Sequence, residues 1–329
     1  MVKTRVLVCG ATGFIGRNIA EALCARDDLK VVGVHHNKPP FEHSGLDWVE
    51  ANLNDAADVS RVIKDADVLI QAAATTSGSK DVSERPHLHV TDNAVMNALL
   101  FRAAFEQRIG HVVFFSCSIM LQSSDQGLSE TDFDANADMA PQYFGAGWTK
   151  VYSEKMCEFY AGLGDTRFTV VRHSNVYGPH DKFDLHKSHV FGASVTKVMT
   201  ARDDFISVWG AGEEARDLLY VGDLVGFVES ALNKQKTPFE IYNCGCGEGV
   251  KVKDLVAKII AASGRNLEIR HDLSKPTIPT SVFFDCSKAR RDLGWTPTTD
   301  LHSGIAKTIA WWNDVHGSDA GASLLSENV

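Results

Sequence analysis

The stretch that most constrains this chain is GATGFIGR, at positions 10–17. Just before it, positions 5–9 read RVLVC, a continuous apolar, β-branched run typical of a strand buried on both faces. Just after it, from position 14, apolar residues recur at helical spacing. A glycine pattern alone is weak evidence, but between a strand and a helix it has a mechanical meaning. Gly10 permits the tight turn, Gly13 lets the backbone approach a pyrophosphate, and Gly16 lets the helix pack close to the strand. The helix N-terminus then offers its unpaired N–H groups to phosphate. Gly10, Ala11, Thr12, Gly13, Phe14, Ile15, Gly16 and Arg17 form the candidate cofactor loop.

Further buried strands are expected at 30–36, 67–74 and 111–118, with helical patterns between them, notably 90–108. This alternation predicts an α/β fold, a Rossmann doubly wound parallel sheet covered on both faces, with a smaller α/β C-terminal lobe. We expect a cofactor domain over 1–178 with a return segment near 217–245, a substrate lobe over 179–316, and a flexible tail over 317–329. In the second half the pattern gives helices near 188–200, 251–263 and 302–316, and strands at 205–210, 239–245 and 267–272.

Charge narrows the function. With 33 basic and 42 acidic residues the net charge is −9, which argues against a non-specific nucleic-acid binder. No apolar run approaches the ~20 residues of a membrane span, and the opening MVKTRVLVCG lacks a signal-peptide layout. Seven cysteines, an odd number without a CxxC pair, predict reduced thiols and a cytoplasmic protein. Cys244 and Cys246 flank Gly245 in NCGCG; a turn is the ordinary reading and a zinc half-site the sharper one, but no second cysteine pair completes it, so no metal is expected.

An NAD site usually ends its second strand on a carboxylate that binds the ribose hydroxyls. Here positions 35–38 read HHNK, and Arg17 follows the third glycine. His36 and Arg17 would meet a 2′-phosphate without repulsion, so NADP(H) is favoured over NAD(H); the alternative is that the histidines only cap a strand.

With these features in order, the chain resembles the extended short-chain dehydrogenase/reductases that act on nucleotide sugars. The resemblance rests on the glycine loop, QAAATTSG at 71–78, FSCS at 115–118, Lys150 and LGWTP at 293–297, and spans about residues 1–312. Within that superfamily, NVYGPHDKFDLHKSHV at 175–190, VWGAGEEARDLLYVGD at 208–223 and SKP at 274–276 are similar to the GDP-L-fucose synthase type, an NADP-dependent 3,5-epimerase and 4-reductase.

The resemblance implies residue roles. Ser116 would bond the sugar's C4 oxygen, and Lys150 would hold the nicotinamide ribose and lower the pKa of the proton donor. Ser118 stands where that type keeps a cysteine for epimerisation, with His189 as its partner acid. Asn175, Lys197, Trp209 and Arg216 fall on substrate-binding positions, and His36, Asn52, Leu53, Ala72, Ala73 and Ala74 on cofactor-binding ones. It implies a nucleotide-sugar substrate and a homodimer paired through helices near 90–108 and 148–162. Histidine suits proton abstraction beside a ketone near neutral pH, and arginine suits a diphosphate. A lone histidine after a loop is otherwise ordinarily structural. The other histidines, His180, His186, His87 and His89, are read as bystanders, the last two on opposite faces of a strand.

One departure dominates. These enzymes keep a tyrosine four residues before the lysine, and here YFGAGWTK at 143–150 has Ala146 there. The nearest upstream phenol, Tyr143, would lie about 10.5 Å lower on a continuous helix, and Gly145 and Gly147 make a regular helix doubtful. A loop that bends Tyr143 back is one solution; Ser116, Thr149 or water as donor is another. Epimerisation without reduction, or a non-catalytic dinucleotide sensor, are the alternatives.

Overall fold

The computed structural model describes residues 3–76, 84–185, 187–275, 277–278 and 280–317. Strand β1 (Thr4–Cys9) leads through the glycine turn into helix α1 (Phe14–Cys24). There follow β2 (Leu29–His35), β3 (Leu46–Glu50), α2 (Ala56–Ile63), β4 (Val68–Gln71), a 3₁₀ turn (Pro86–His89), α3 (Thr91–Glu106) and β5 (His111–Cys117). A second 3₁₀ turn (Pro141–Tyr143) opens α4 (Phe144–Ala161), followed by β6 (Arg167–His173).

These strands, with one from the second half, make a seven-stranded sheet in which every pairing is parallel. The order is β3-β2-β1-β4-β5-β6, and β11 (Phe239–Cys244) joins beyond β6. The order reverses between β1 and β4, which opens a crevice outside the carboxyl ends of those strands, where this architecture binds its ligands.

The sheet follows from the sequence directly. Val6, Leu7 and Val8 are at most 1% exposed, and each side chain so buried contributes about 1.5–3 kcal/mol. Alternate residues go to opposite faces: Val112 and Phe114 pack with α3 and α4, Val113 and Phe115 with α1 and α6 (Val221–Lys234). Helix α1 turns Gly16, Ile19, Ala20 and Leu23 inward, the i, i+3, i+4, i+7 stripe of an amphipathic helix.

Beyond β6 come β7 (Asn175–Tyr177), α5 (Val190–Thr200), β8 (Phe205–Trp209), β9 (Ala215–Arg216) and β10 (Leu218–Tyr220). After β11 come β12 (Val250–Lys251), α7 (Val252–Ser263), β13 (Glu268–Asp272), α8 (Ser287–Leu293) and α9 (Leu301–His316). Here α5, α7 and α9 share a separate apolar core with β8, including Phe191, Ile206, Val256 and Trp312. Two buried aspartates brace the junctions. Asp217 accepts from the backbone N–H groups of Cys246, Gly247 and Phe284. Asp223 accepts from Thr298 and Thr299, while the Trp295 indole donates to the Asp223 carbonyl, which explains the LGWTP stretch.

Two local expectations fail. Positions 86–89 form a 3₁₀ turn and not a strand, because Pro86 at its first position starts a turn and cannot donate to a ladder. Helix α4 runs unbroken through Gly145 and Gly147. These glycines serve close packing: a Cβ on Gly145 would lie 2.8 Å from Val90, and one on Gly147 2.7 Å from the Met139 sulfur. The NCGCG segment is a turn around Asp217, with a Gly245 Cβ position only 2.4 Å from its carboxylate. Among the described residues no group of three or more His, Cys, Asp or Glu side chains is placed to hold a metal. His186, Ser77, Gly78, Pro276 and the tail from 318 on lie outside the described residues.

Candidate active site

At the β1/β4 crevice the glycine turn is a fitted cradle. Gly10 has φ +76°, and a Cβ there would sit 2.7 Å from the Ala73 backbone. A Cβ on Gly16 would be 2.2 Å from the Gly10 carbonyl oxygen. Gly13 caps α1 in extended conformation, with no side chain on the first N–H groups and no acidic residue in the first turn. That geometry fits a dinucleotide's pyrophosphate. Ala11 and Thr12 are buried in the turn, and Phe14 and Ile15 begin the helix above it. Ala72, Ala73 and Ala74 follow β4, the first donating its N–H to the Cys9 carbonyl.

The ribose end is cationic. Lys38 Nζ donates to the Thr12 carbonyl at 2.7 Å, which sets an ammonium against the glycine turn. Desolvation and the neighbouring Arg17 both lower its pKa. Arg17 lies 3.9 Å over the Phe41 ring and binds Glu21. Burial pushes the Glu21 carboxyl up, but hydrogen bonds from His180 and Arg17 outweigh it and hold the group at about 2. Asn52 and Leu53 follow β3, where the Asn52 N–H is bound by Asp58; His36 lies exposed just past β2.

At the other end of the crevice Lys150 reaches up from α4 and donates to the Phe115 carbonyl at 2.7 Å. Burial lowers its pKa, opposed by Cys117 and Glu154. Ser116 points the other way. It is fully buried and donates to Glu154 at 2.6 Å. Glu154, one turn beyond Lys150, is in turn held by two Arg172 nitrogens at 2.7 and 3.0 Å, both side chains almost entirely buried. In this arrangement the Ser116 hydroxyl braces a buried ion pair and does not face a ligand. Thr149 is likewise engaged, donating to the Gly145 carbonyl at 2.8 Å.

Tyr143 caps α4 at its N-terminus, so helix geometry keeps it two turns below Lys150. Burial raises its phenol; Arg216 lowers it and Cys117 raises it further. Ser118 sits just past β5 with its carbonyl bound by the Leu121 N–H. His189 caps α5 at its N-terminus and is exposed; desolvation, Lys182 and His89 push its imidazole down to about 4. His173 ends β6, also pushed to about 4 by burial, with Lys150 and His189 as charged neighbours. Lys150 and His189 thus both bear on the His173 charge.

The expected substrate groups divide. Lys197 lies 5.8 Å over the Trp209 ring, and Trp209 is 40% exposed. Asn175 opens β7 and donates its N–H to the Asp217 carbonyl. The Arg216 guanidinium is bound by the carbonyls of Ala215, Ile278 and Thr280. Sequence reasoning missed Lys38, Cys117, Glu154, Arg172 and His173. It also missed Asp181, raised to about 7 by burial, whose second oxygen has no hydrogen-bond partner among the described residues.

The family profile described as "NAD dependent epimerase/dehydratase family" matches residues 6–245. The chain belongs to that family. Its members are NAD(P)-dependent enzymes of nucleotide-sugar epimerisation, dehydration and reduction. This family member is 27% identical to a GDP-L-colitose synthase of Yersinia pseudotuberculosis over 328 residues, which covers 96% of this chain and all of the relative. It is 24% identical to a GDP-L-fucose synthase of Escherichia coli strain K12, covering 95% and 97%. Its fold matches a UDP-glucose 4-epimerase of Thermotoga maritima with TM-score 0.84, at 22% identity and 95% and 99% coverage. No helix among the described residues is long and apolar enough to cross a membrane.

Proposed function

We propose that this chain is an NADP(H)-dependent nucleotide-diphosphate-sugar epimerase/reductase acting on a GDP-linked 4-keto sugar. The observation that supports the reading is the glycine cradle at the start of the crevice, with Lys150 held on the Phe115 carbonyl at the carboxyl end of β5. The cofactor, when bound, supplies or takes the hydride. The chain's own residues do the rest. The cradle and α1 hold the pyrophosphate, and Lys150 holds the nicotinamide ribose. His189, neutral near pH 7, accepts a proton from the carbon beside the ketone. The Lys197–Trp209 pair holds the nucleotide end of the substrate, with Arg216 joining once its carbonyl partners release it.

The preference for NADP(H) is supported by Lys38 and Arg17 beside the ribose end, where β2 runs into HHNK with no carboxylate. A GDP-linked substrate is supported by likeness to the colitose and fucose synthases. A homodimer is supported by the exposed apolar side chains of α4, namely Phe144, Trp148, Tyr152 and Phe159, joined by Val95 of α3. Such a stripe on a helix face is uncommon without a partner. Seven free cysteines support a cytoplasmic setting. The division into a cofactor domain and a substrate lobe belongs to the same reading.

The test is purified protein with NADPH and a GDP-4-keto-6-deoxy sugar. Loss of absorbance at 340 nm, with solvent deuterium entering the sugar, supports reductase and epimerase together. Deuterium entry with NADPH unchanged limits the enzyme to epimerisation. The absence of both changes would overturn the reading.

A further inference from the structure

After β7 the chain from Gly178 to Lys182 reaches back from the second half of the molecule to the cofactor side, and three contacts pin it there. Asn18 Nδ2 donates to the Pro179 carbonyl at 3.0 Å and to the Phe14 carbonyl at 3.0 Å, which ties Pro179 to the first turn of α1. His180 Nε2 lies 3.5 Å from Glu21, one turn further along α1 and itself bound by Arg17. Lys182 Nζ donates to the Thr76 carbonyl at 3.1 Å and to the Thr76 hydroxyl at 2.8 Å.

These anchors belong to the two walls of the crevice. α1 follows β1, Thr76 follows β4, and the strand order reverses between those two strands. From Pro179 to Lys182 the chain spans at most about 11 Å, so the bridge from wall to wall is short. The β4 wall is fixed against the glycine turn, with the Ala73 backbone 2.7 Å from a Gly10 Cβ position. Thr75 is locked to Asn93 of α3 by two hydrogen bonds of 2.9 Å.

The bridge is held from its own side as well. His180 has φ +68°, a left-handed backbone uncommon outside glycine that the surrounding structure must hold in place. Its ring meets Trp311 of α9 edge-on at 4.9 Å. A Cβ on Gly192 of α5 would overlap the Lys182 carbonyl oxygen. The Lys182 side chain is half-buried, and both Thr76 acceptors are neutral. Asp181 Oδ1 accepts from the Lys182 backbone N–H at 2.7 Å. Burial lowers the Lys182 pKa, Asp181 raises it, and Lys187 and Lys38 lower it further. Lys38 is the ammonium that already sits on the Thr12 carbonyl of the glycine turn.

We propose that Lys182, carried across the crevice by the bridge, binds the diphosphate of the dinucleotide, so that the cofactor is gripped from both sides. The inference rests on the dinucleotide reading above. The α1 N-terminus offers backbone N–H groups to one side of the diphosphate, and Lys182 offers a full charge to the other. Thr76 takes two of the three ammonium N–H groups and aims the third at the ligand. The diphosphate is common to NADPH and NADH, so this grip adds affinity without choosing between them.

Titration calorimetry with NADPH, NADH and GDP tests this on the wild type, Lys182→Met and Lys182→Arg. Lys182→Met should weaken NADPH and NADH alike, by about 10–100-fold, and leave GDP binding unchanged. Lys182→Arg keeps the cation and should recover most of both losses. Added salt should narrow the gap between wild type and Lys182→Met, because charge attraction is screened and packing is not. Both nucleotides bound as tightly by Lys182→Met as by wild type would overturn the proposal. So would a loss confined to NADPH, which puts the ammonium on the 2′-phosphate, or one confined to GDP, which puts it on the substrate. An arginine variant as weak as the methionine variant would overturn it too, by assigning the residue to packing. A wild-type protein that takes up neither NADPH nor NADH refutes the dinucleotide reading itself, a different result from a variant that matches the wild type.

Discussion

The two ends of the crevice are built on different terms. At the cradle end each part follows the mechanical demand of a dinucleotide: backbone at φ +76°, a turn too tight for a Cβ, an uncapped helix N-terminus and cationic side chains beside it. At the far end Lys150 keeps its place, but the phenol position is an alanine, and Ser116 is drawn into a buried ion pair. A cradle depends on backbone shape and admits few substitutes. Proton transfer depends only on a donor within reach, and several side-chain types supply one. Binding geometry therefore persists here while the phenol position does not.

The comparison breaks most sharply at Gly16. Gly16→Val drives a side chain into the Gly10 carbonyl, 2.2 Å from where its Cβ would be. We expect a loss beyond about 4 kcal/mol of stability and no calorimetric heat with NADPH; a folded, binding variant would show that the cradle tolerates a side chain.

Next in size is the buried pair under Ser116. Glu154→Ala leaves Arg172 uncompensated with both positions at most 4% exposed, and urea denaturation should show a loss of about 3–5 kcal/mol. Glu154→Gln should lose less. Little change in either would mean that the pair does not brace this end.

The ribose end comes third. If Lys38 meets a 2′-phosphate, Lys38→Ala removes a charge-assisted contact of about 1.5–3 kcal/mol. NADPH binding should weaken roughly 10–100-fold with NADH binding unchanged. Equal weakening of both would assign Lys38 to the turn alone.

The smallest effect at any one step of pH is a slope. His111 is fully buried, accepts or donates one bond with Thr169, and burial pushes it down to about 3. Above pH 6.5 it is neutral folded or unfolded and contributes no pH dependence. As pH falls from 6.5 to about 3 the unfolded chain takes up its proton first, so stability drops by up to about 1.4 kcal/mol per pH unit. His111→Gln should flatten that limb, seen in urea midpoints taken across the range; an unchanged slope would assign the acid sensitivity to other groups.

The cradle was legible because its signals are local. Glycine spacing, a β-branched run and a helical stripe all lie within the first 24 residues. The Rossmann sheet followed for the same reason. The far end was not legible, because its contacts join distant positions. Ser116 meets Glu154 at a separation of 38 residues and Glu154 meets Arg172 at 18. Gly145 and Gly147 suggested a broken helix because propensity counts only the chain itself, whereas Val90 and Met139 press on those two positions from outside it.

The most direct test of the account is titration calorimetry of the wild-type protein with NADPH and with NADH. The account predicts saturable one-to-one binding of NADPH, tighter than NADH by at least about tenfold. No heat with either nucleotide, and no competition between them, would contradict it.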